Sequence, residues 1–175
     1  GDEYYAKNVV SNLDARRTYQ DLFDPLDLNE KLLKQVDNYK FNGSSGKLNI
    51  ALDGLPEFPA MGKDNPLIYA DMHFIDSLDR IERAYDDWKN GRWSQDPYCD
   101  TLIPTMTDPT MAPPGKHYMS VFVQYAPPKL ATGEWTDEDR EAFGKTVIDQ
   151  IGNYSPNFKD LIVHAEIRTP QDIEN

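Results

Sequence analysis

Apolar and polar residues alternate in several stretches of the chain, the pattern of strands with one buried face. The clearest stretch runs from Lys47 to Asp53, where Leu48, Ile50 and Leu52 alternate with Lys47, Asn49, Ala51 and Asp53. In 161–168, Leu161, Val163, Ala165 and Ile167 are expected to face one way. Together the alternating stretches predict strands over 4–11, 47–53, 67–75, 98–106, 117–125 and 161–168.

A helical spacing of apolar residues replaces this alternation elsewhere. Tyr19, Leu22, Phe23 and Leu26 have the spacing of one helical face, although Pro25 must end the regular helix before Leu26. Asp27 and Glu30 have the spacing of a capping box for a second helix, whose buried face is Leu32, Leu33, Val36 and Tyr39. Three more helices are predicted: one after Asp76 with a core face of Leu78, Ile81, Tyr85 and Trp88 that stops at Gly91, one capped by Thr136 and Asp139, and one begun by Thr169 and Pro170.

These elements predict one α+β domain over residues 1–175, with a mixed, mainly antiparallel sheet of about five strands and helices on one face. The 20.1 kDa chain has the length of a single domain. The strand at 4–11 has no obvious partner, and residues 169–175 are the start of a helix that stops within its first turn. We therefore expect a fragment of a larger protein.

Charge and cysteine content narrow the classes of partner. The net charge of −12 argues against nucleic acid and against adhesion to an anionic membrane. The single cysteine, Cys99, excludes an internal disulfide and a thiolate metal cluster. With no membrane-spanning apolar run and no signal peptide, a cytoplasmic location is expected, and a peripheral membrane association of the intact protein stays open.

The residues predict no catalytic constellation. His73, His117 and His164 lie too far apart along the chain for a helical metal motif, so no metal site is predicted. The glycine-rich phosphate loops and the nucleophile elbow are absent from the sequence. Cys99 is interpreted as structural, with Asp100 beside it expected to raise its pKa.

One surface does suggest binding. If the apolar strand residues pack under the helices, the opposite sheet face is mixed aromatic and polar, which suits the wall of a ligand cavity or a domain interface. A merely solvated sheet face is an equal alternative. The residues predicted on this face are Asn49, Tyr69, His73, Tyr118, Phe122, Gln124 and His164.

Several strings resemble a known family. The most distinctive is DPTMAPPGK at 108–116, and the others span nearly the whole chain in the family's order: 6–12 with Asp14 and Arg17-Thr18, 46–52 followed by Leu55-Pro56, 156–158 and 167–172. The chain resembles the middle part of FAD-dependent oxidoreductases of the phytoene dehydrogenase type, the carotenoid desaturase and isomerase relatives among the amine-oxidase-like flavoproteins.

The resemblance implies the substrate-binding region of an FAD-dependent dehydrogenase, desaturase or isomerase acting on a largely apolar, polyene-like molecule. Residues 1–12 would be the crossing from an FAD-binding domain outside this chain, with Val10, Ser11 and Asn12 near the cofactor. Tyr69, His73, Tyr118, Phe122 and Gln124 would contact the substrate.

The family's glycine-rich FAD fingerprint is absent here, so the intact parent protein would hold FAD, and the isolated chain is expected to bind none and to be inactive. In this chemistry the flavin accepts the hydride, and the protein chiefly orients the substrate. The alternative is a stand-alone α+β ligand-binding or protein-interaction module without redox activity.

Overall fold

The computed structural model describes residues 1–62 and 65–174. Lys63 and Asp64, which belong to the Pro-rich connection predicted over 56–66, lie outside the described residues. So does Asn175, with which the predicted final helix ends. The chain divides into two compact units, Gly1–Phe41 and Asn42–Asn175.

The first unit begins with an irregular segment instead of the predicted strand. Residues 4–11 have no strand structure, and the side chains of Tyr4, Tyr5, Val9 and Val10 are almost fully exposed. A strand is stable only when its backbone N–H and C=O groups pair with a neighbour. Residues 4–11 pair with no strand in the described part of the chain, so the prediction of a strand there is wrong.

Short helical segments complete the first unit. A π-helical turn covers Arg17–Asp21, a 3-10 turn covers Pro25–Asp27, and helix α1 covers Glu30–Asp37. The α1 cap is Asn29, whose side chain accepts a hydrogen bond from the Leu32 N–H at 2.8 Å. The helix is therefore confirmed, and its predicted cap at Asp27 is wrong because the 3-10 turn already contains that residue.

A five-stranded antiparallel sheet forms the centre of the second unit. Its strands are β1 (Ser45–Leu52), β2 (Met72–Phe74), β3 (Tyr98–Leu102), β4 (His117–Gln124) and β5 (Ile162–Arg168). Their order across the sheet is β2-β3-β4-β1-β5, and every neighbouring pair is antiparallel. The predicted α+β fold with about five strands is confirmed.

The described residues of this unit form three α-helices: α2 (Leu78–Lys89), α3 (Asp137–Gly152) and α4 (Pro170–Glu174). Thr136 and Asp139 form the predicted capping box of α3, which buries Phe143, Val147 and Ile151 in the core. Gly91 has a positive φ of 70° just past α2, as predicted for a helix stop. The face predicted for α2 is partly wrong, because Leu78 is exposed and Ala84 is the buried residue.

The core lies between α3 and one face of the sheet. Strands β1 and β4 supply alternate residues with no exposed surface, as half-buried strands should. This cluster also includes Trp135 and Phe158 from the segments flanking α3. Its strand members are Leu48, Ile50, Leu52, Met72, Phe74, Cys99, Met119, Val121 and Val123.

Strand β5 departs from the predicted alternation. Leu52 pairs with Ile162 while Ala51 pairs with His164, so the register shifts by one residue at a bulge. A bulge reverses the side on which the residues beyond it lie. Consequently Ile162 packs against the core and Val163 is exposed, whereas the opposite was predicted.

Strand β2 is shorter than predicted. Residues Pro66–Tyr69 form a 3-10 turn, and the strand begins only at Met72. Pro66 stands at the first position of the turn, where its fixed φ favours helical backbone, and the Asn65 side chain accepts from the Leu67 N–H. A proline and an Asx cap therefore override the alternating pattern of 67–75.

The last helix is fixed by a reciprocal cap. The Thr169 N–H donates to Asp172 Oδ2 at 2.8 Å, and the Asp172 N–H donates to Thr169 Oγ1 at 3.2 Å. Arg140 of α3 then donates twice to the Asp172 carboxylate, which ties α4 to α3. No helix within the described ranges is both long and apolar enough to cross a membrane.

Candidate functional site

The face of the sheet away from the core carries the mixed aromatic and polar side chains that the sequence predicted. We call this the outer face. Directly paired residues of antiparallel strands share a face, and the register runs from His73 through Asp100, Phe122 and Lys47 to Arg168 across all five strands. The charged, aromatic, histidine and amide residues of the outer face are Lys47, Asn49, His73, Tyr98, Asp100, Tyr118, Phe122, Gln124, His164, Glu166 and Arg168.

Phe122 lies in the central strand of this face. Its side chain is 43% exposed, although a phenylalanine in a sheet is usually buried. Asp100 of β3 and Lys47 of β1 are its cross-strand neighbours. An exposed aromatic ring between charged side chains offers an apolar contact of defined position to a ligand or to another domain.

A hydrogen-bonded chain joins three strands on one side of Phe122. Tyr118 Oη donates to Asn49 Oδ1 at 2.7 Å, and Asn49 Nδ2 donates to Glu166 Oε2 at 2.9 Å. Arg168 donates to the other carboxylate oxygen at 2.6 Å. The hydrogen bond from Asn49, followed by that from Arg168, lowers the pKa of Glu166. This carboxylate is therefore an acceptor of fixed orientation at neutral pH.

A second polar group lies at the other side of the sheet. His73 of β2 faces Asp100 of β3 directly, and its Nδ1 is hydrogen-bonded to the Tyr98 hydroxyl. The rings of His73 and Tyr98 stack with their centroids 5.5 Å apart. Asp71 lies close to both His73 and Asp100. Its interaction with Asp100 is the largest cause of the raised pKa of Asp100.

Tyr69 does not lie on the outer face. It belongs to the 3-10 turn before β2, so the prediction that places it on a strand is wrong. It instead lines an apolar cleft of about 760 Å³ together with Phe58, Met61, Ile68 and Met106. Of the five predicted substrate residues, the sheet brings together His73, Tyr118, Phe122 and Gln124.

The three residues predicted near a cofactor lie in the first unit. Val10 is 91% exposed, and Ser11 and Asn12 are also exposed. The Ser11 hydroxyl is hydrogen-bonded to the Thr18 hydroxyl at 2.8 Å. Their predicted role near FAD stays a prediction.

The sequence analysis did not identify Asp71, Tyr98 and Asp100 as neighbours of His73. The alternation of Tyr98 and Asp100 in the predicted strand 98–106 was a usable signal, because residues two apart share a strand face. Their meeting with His73 was not readable from the chain, because it depends on the register between β2 and β3.

Two further reactive side chains are held by the core. His117 is hydrogen-bonded to the Thr105 hydroxyl at 2.9 Å, and partial burial lowers its pKa. Burial raises the pKa of the Cys99 thiol to about 12. The sequence analysis expected Asp100 to cause this rise, but the cause is desolvation. Cys99 and Asp100 point to opposite faces of the sheet.

Comparison with known proteins finds similarity to oxidoreductases. The mouse protein "pyridine nucleotide-disulfide oxidoreductase domain-containing protein 2" is 32% identical over 182 residues, and the rat protein of that name is equally similar. Each alignment covers 99% of this chain. Prolycopene isomerase of Arabidopsis thaliana, a chloroplast protein, is 26% identical over 98% of the chain.

The chain spans only part of these relatives: 31% of the length of the mouse and rat proteins and 26% of the Arabidopsis protein. No protein-family model matches the chain. The similarities relate the chain to the flavin oxidoreductase superfamily and do not single out one family within it.

Proposed function

We propose that this chain is the substrate-binding region of an FAD-dependent oxidoreductase related to phytoene dehydrogenase, and that its outer face forms part of the wall of a cavity for a largely apolar substrate. The observation that carries the proposal is the exposed ring of Phe122 in the middle of a sheet face that also holds ordered polar side chains. Binding cavities combine such apolar area with a few oriented polar groups.

The apolar cleft beside Tyr69 supports the same substrate class. Its lining from Phe58, Met61 and Met106 is adaptable, because methionine is flexible and polarisable. The superfamily relationship supports redox chemistry, and prolycopene isomerase is named for a polyene. The outer face would orient such a molecule through Phe122 and Tyr118, and a flavin bound to the intact protein would supply the oxidising chemistry.

The described residues do not themselves fit the pyrophosphate of FAD. Helix N-termini bind phosphate when their N–H groups are accessible and the local charge is not negative. The first turn of α3 carries Asp137, Glu138 and Asp139, and that of α2 carries Asp79. We therefore assign the nucleotide-binding part of FAD to segments outside this chain, and we derive no chemical step from it.

Flavin retention is the first test. The 175-residue chain and a version extended at both ends to the length of the mouse relative are purified, and flavin is measured by absorbance and fluorescence. Flavin on the extended protein alone is the expected result. If neither protein retains flavin, the redox proposal fails. The alternative hypothesis, a stand-alone ligand-binding or protein-interaction module, is then favoured. Flavin on the short chain would overturn the assignment of the pyrophosphate site.

The binding wall is tested in the extended protein with prolycopene in detergent micelles as the probe, followed by quenching of flavin fluorescence. Phe122→Ala should weaken binding about tenfold or more, since burying an aromatic ring contributes more than 1 kcal/mol. Leu78→Ala is the matched control, because Leu78 is an exposed apolar residue at the start of α2. Equal effects of the two substitutions would contradict a role for the outer face.

A further inference from the structure

Three metal-ligating side chains converge at the β2 edge of the sheet. His73 and Asp100 are direct cross-strand partners, and Asp71 lies just before the start of β2. One ring nitrogen of His73 and one carboxylate oxygen from each aspartate all lie within 4.8 Å of one another. These atoms are close enough to bind one ion after small side-chain movements.

The local charge favours a cation at this place. The carboxylate oxygens of Asp71 and Asp100 lie within 4.8 Å of each other, and two like charges at this separation repel each other. Among the described residues, neither aspartate forms an ion pair with lysine or arginine. A bound cation would remove the repulsion that the cluster otherwise retains.

Tyr98 supplies the outer support that metal-binding histidines usually have. Its hydroxyl is hydrogen-bonded to His73 Nδ1, and the two rings stack. When Nδ1–H is the donor in this bond, the lone pair of Nε2 is free for a metal. A second hydrogen-bonding partner that fixes the tautomer and the ring orientation is typical of histidine ligands.

We propose that Asp71, His73 and Asp100 form a binding site for a divalent transition-metal ion such as Zn²⁺, with Tyr98 positioning the imidazole and water completing the coordination. One nitrogen and two carboxylate ligands suit Zn²⁺ or Co²⁺. Mg²⁺ and Ca²⁺ prefer all-oxygen sites and should bind more weakly. The proposal is independent of the flavin chemistry, because it concerns this chain's own residues.

The test is calorimetric titration of the chelator-treated 175-residue chain with Zn²⁺ near neutral pH, repeated with Co²⁺ to follow its visible absorption. One equivalent is expected to bind. His73→Gln and Asp100→Asn should each lower the affinity about tenfold or more, and Tyr98→Phe should lower it by a similar factor through loss of positioning.

His164→Gln is the matched control, since His164 is an exposed histidine on β5, at the opposite edge of the same sheet. It should leave Zn²⁺ affinity unchanged. Near-UV circular dichroism checks that each variant is folded. His73→Gln replaces an exposed side chain, so this variant keeps the test valid if Asp100→Asn does not fold. The proposal is overturned if millimolar Zn²⁺ does not bind, or if binding survives His73→Gln undiminished.

Discussion

Gly144 of α3 lies against Ile167 of β5 so closely that a Cβ atom on the glycine would come within 2.6 Å of the isoleucine Cδ1 and Cγ1 atoms. Real Cβ atoms do not approach other atoms this closely. Because Gly144 has no side chain, the backbone of α3 packs directly against the side chain of Ile167 on β5. Phe143 and Val147 of the same helix belong to the core. The glycine therefore sets the distance between the helix and the sheet.

Gly144→Ala should destabilise the second unit by up to about 2 kcal/mol, because displacing a packed side chain costs about 1–3 kcal/mol and alanine gains roughly 1 kcal/mol over glycine in a helix. Chemical denaturation measures the change. Gly152→Ala is the control in the same helix: its Cβ would meet only the flexible end of Lys159, so its stability should stay within about 1 kcal/mol of wild type.

The ion pair between Arg140 and Asp172 should make stability depend on pH in the acid range. Hydrogen bonds from Arg140 lower the pKa of Asp172 to about 2, against 3.8 for an unperturbed group. The folded state thus binds this proton less readily than the unfolded state does. The stabilisation is present above about pH 4 and is lost as the pH falls toward 2.

Asp172→Asn should therefore cost about 1–2 kcal/mol at pH 6, and the difference from wild type should shrink at pH 3 and below. Urea unfolding at each pH gives the two values. Asp149→Asn removes a more exposed carboxylate that pairs with Lys145 and Lys159, and should have a smaller effect because solvent screens the charges. A difference for Asp172→Asn that does not vary with pH would contradict the pairing.

The thiol of Cys99 should be unreactive in the native protein. It has no exposed surface, and burial raises its pKa to about 12, so almost no thiolate forms near pH 8. A chromogenic disulfide reagent should label it only after denaturant is added, and then at one thiol per chain. Rapid labelling of the folded chain would show that β3 opens readily.

Asn49→Ala should raise the pKa of Glu166, because it removes the hydrogen bond that contributes most to the lowered value. Arg168→Gln should also raise it, because it removes both the hydrogen bond and the positive charge of the guanidinium. Carboxyl-carbon NMR titration follows Glu166 directly. Lys145→Gln changes a charge on the helix layer, away from this network, and should leave the titration of Glu166 unchanged.

Much of the fold was predictable because its signals are local. The capping box of Thr136 and Asp139 and the alternation around Leu48 to Leu52 each depend on residues close together in the chain. Such patterns predict an element without reference to the rest of the molecule. The alternation also identified the outer face correctly at His73, Tyr118, Phe122 and Gln124.

Two of the errors lie where distant parts of the chain determine the structure. The bulge at Ala51 and Leu52 reversed the sheet faces on which Ile162 and Val163 lie. Residues 4–11 pair with no strand in the part of the chain that the structure describes. The error at Tyr69 has a local cause, because the alternation over 67–75 predicts a strand while Pro66 and Asn65 favour the turn that forms there.

The sequence alone therefore determined the class of the fold, most of its helices and strands, and the apolar and polar sides of its central strands, because hydrogen-bond geometry gives each element a fixed period. Only the tertiary structure decided the strand order, the register and the clusters that follow from them. Asp71, His73 and Asp100 meet because β2 and β3 pair in one register, and a shift by one residue would send His73 or Asp100 to the opposite face.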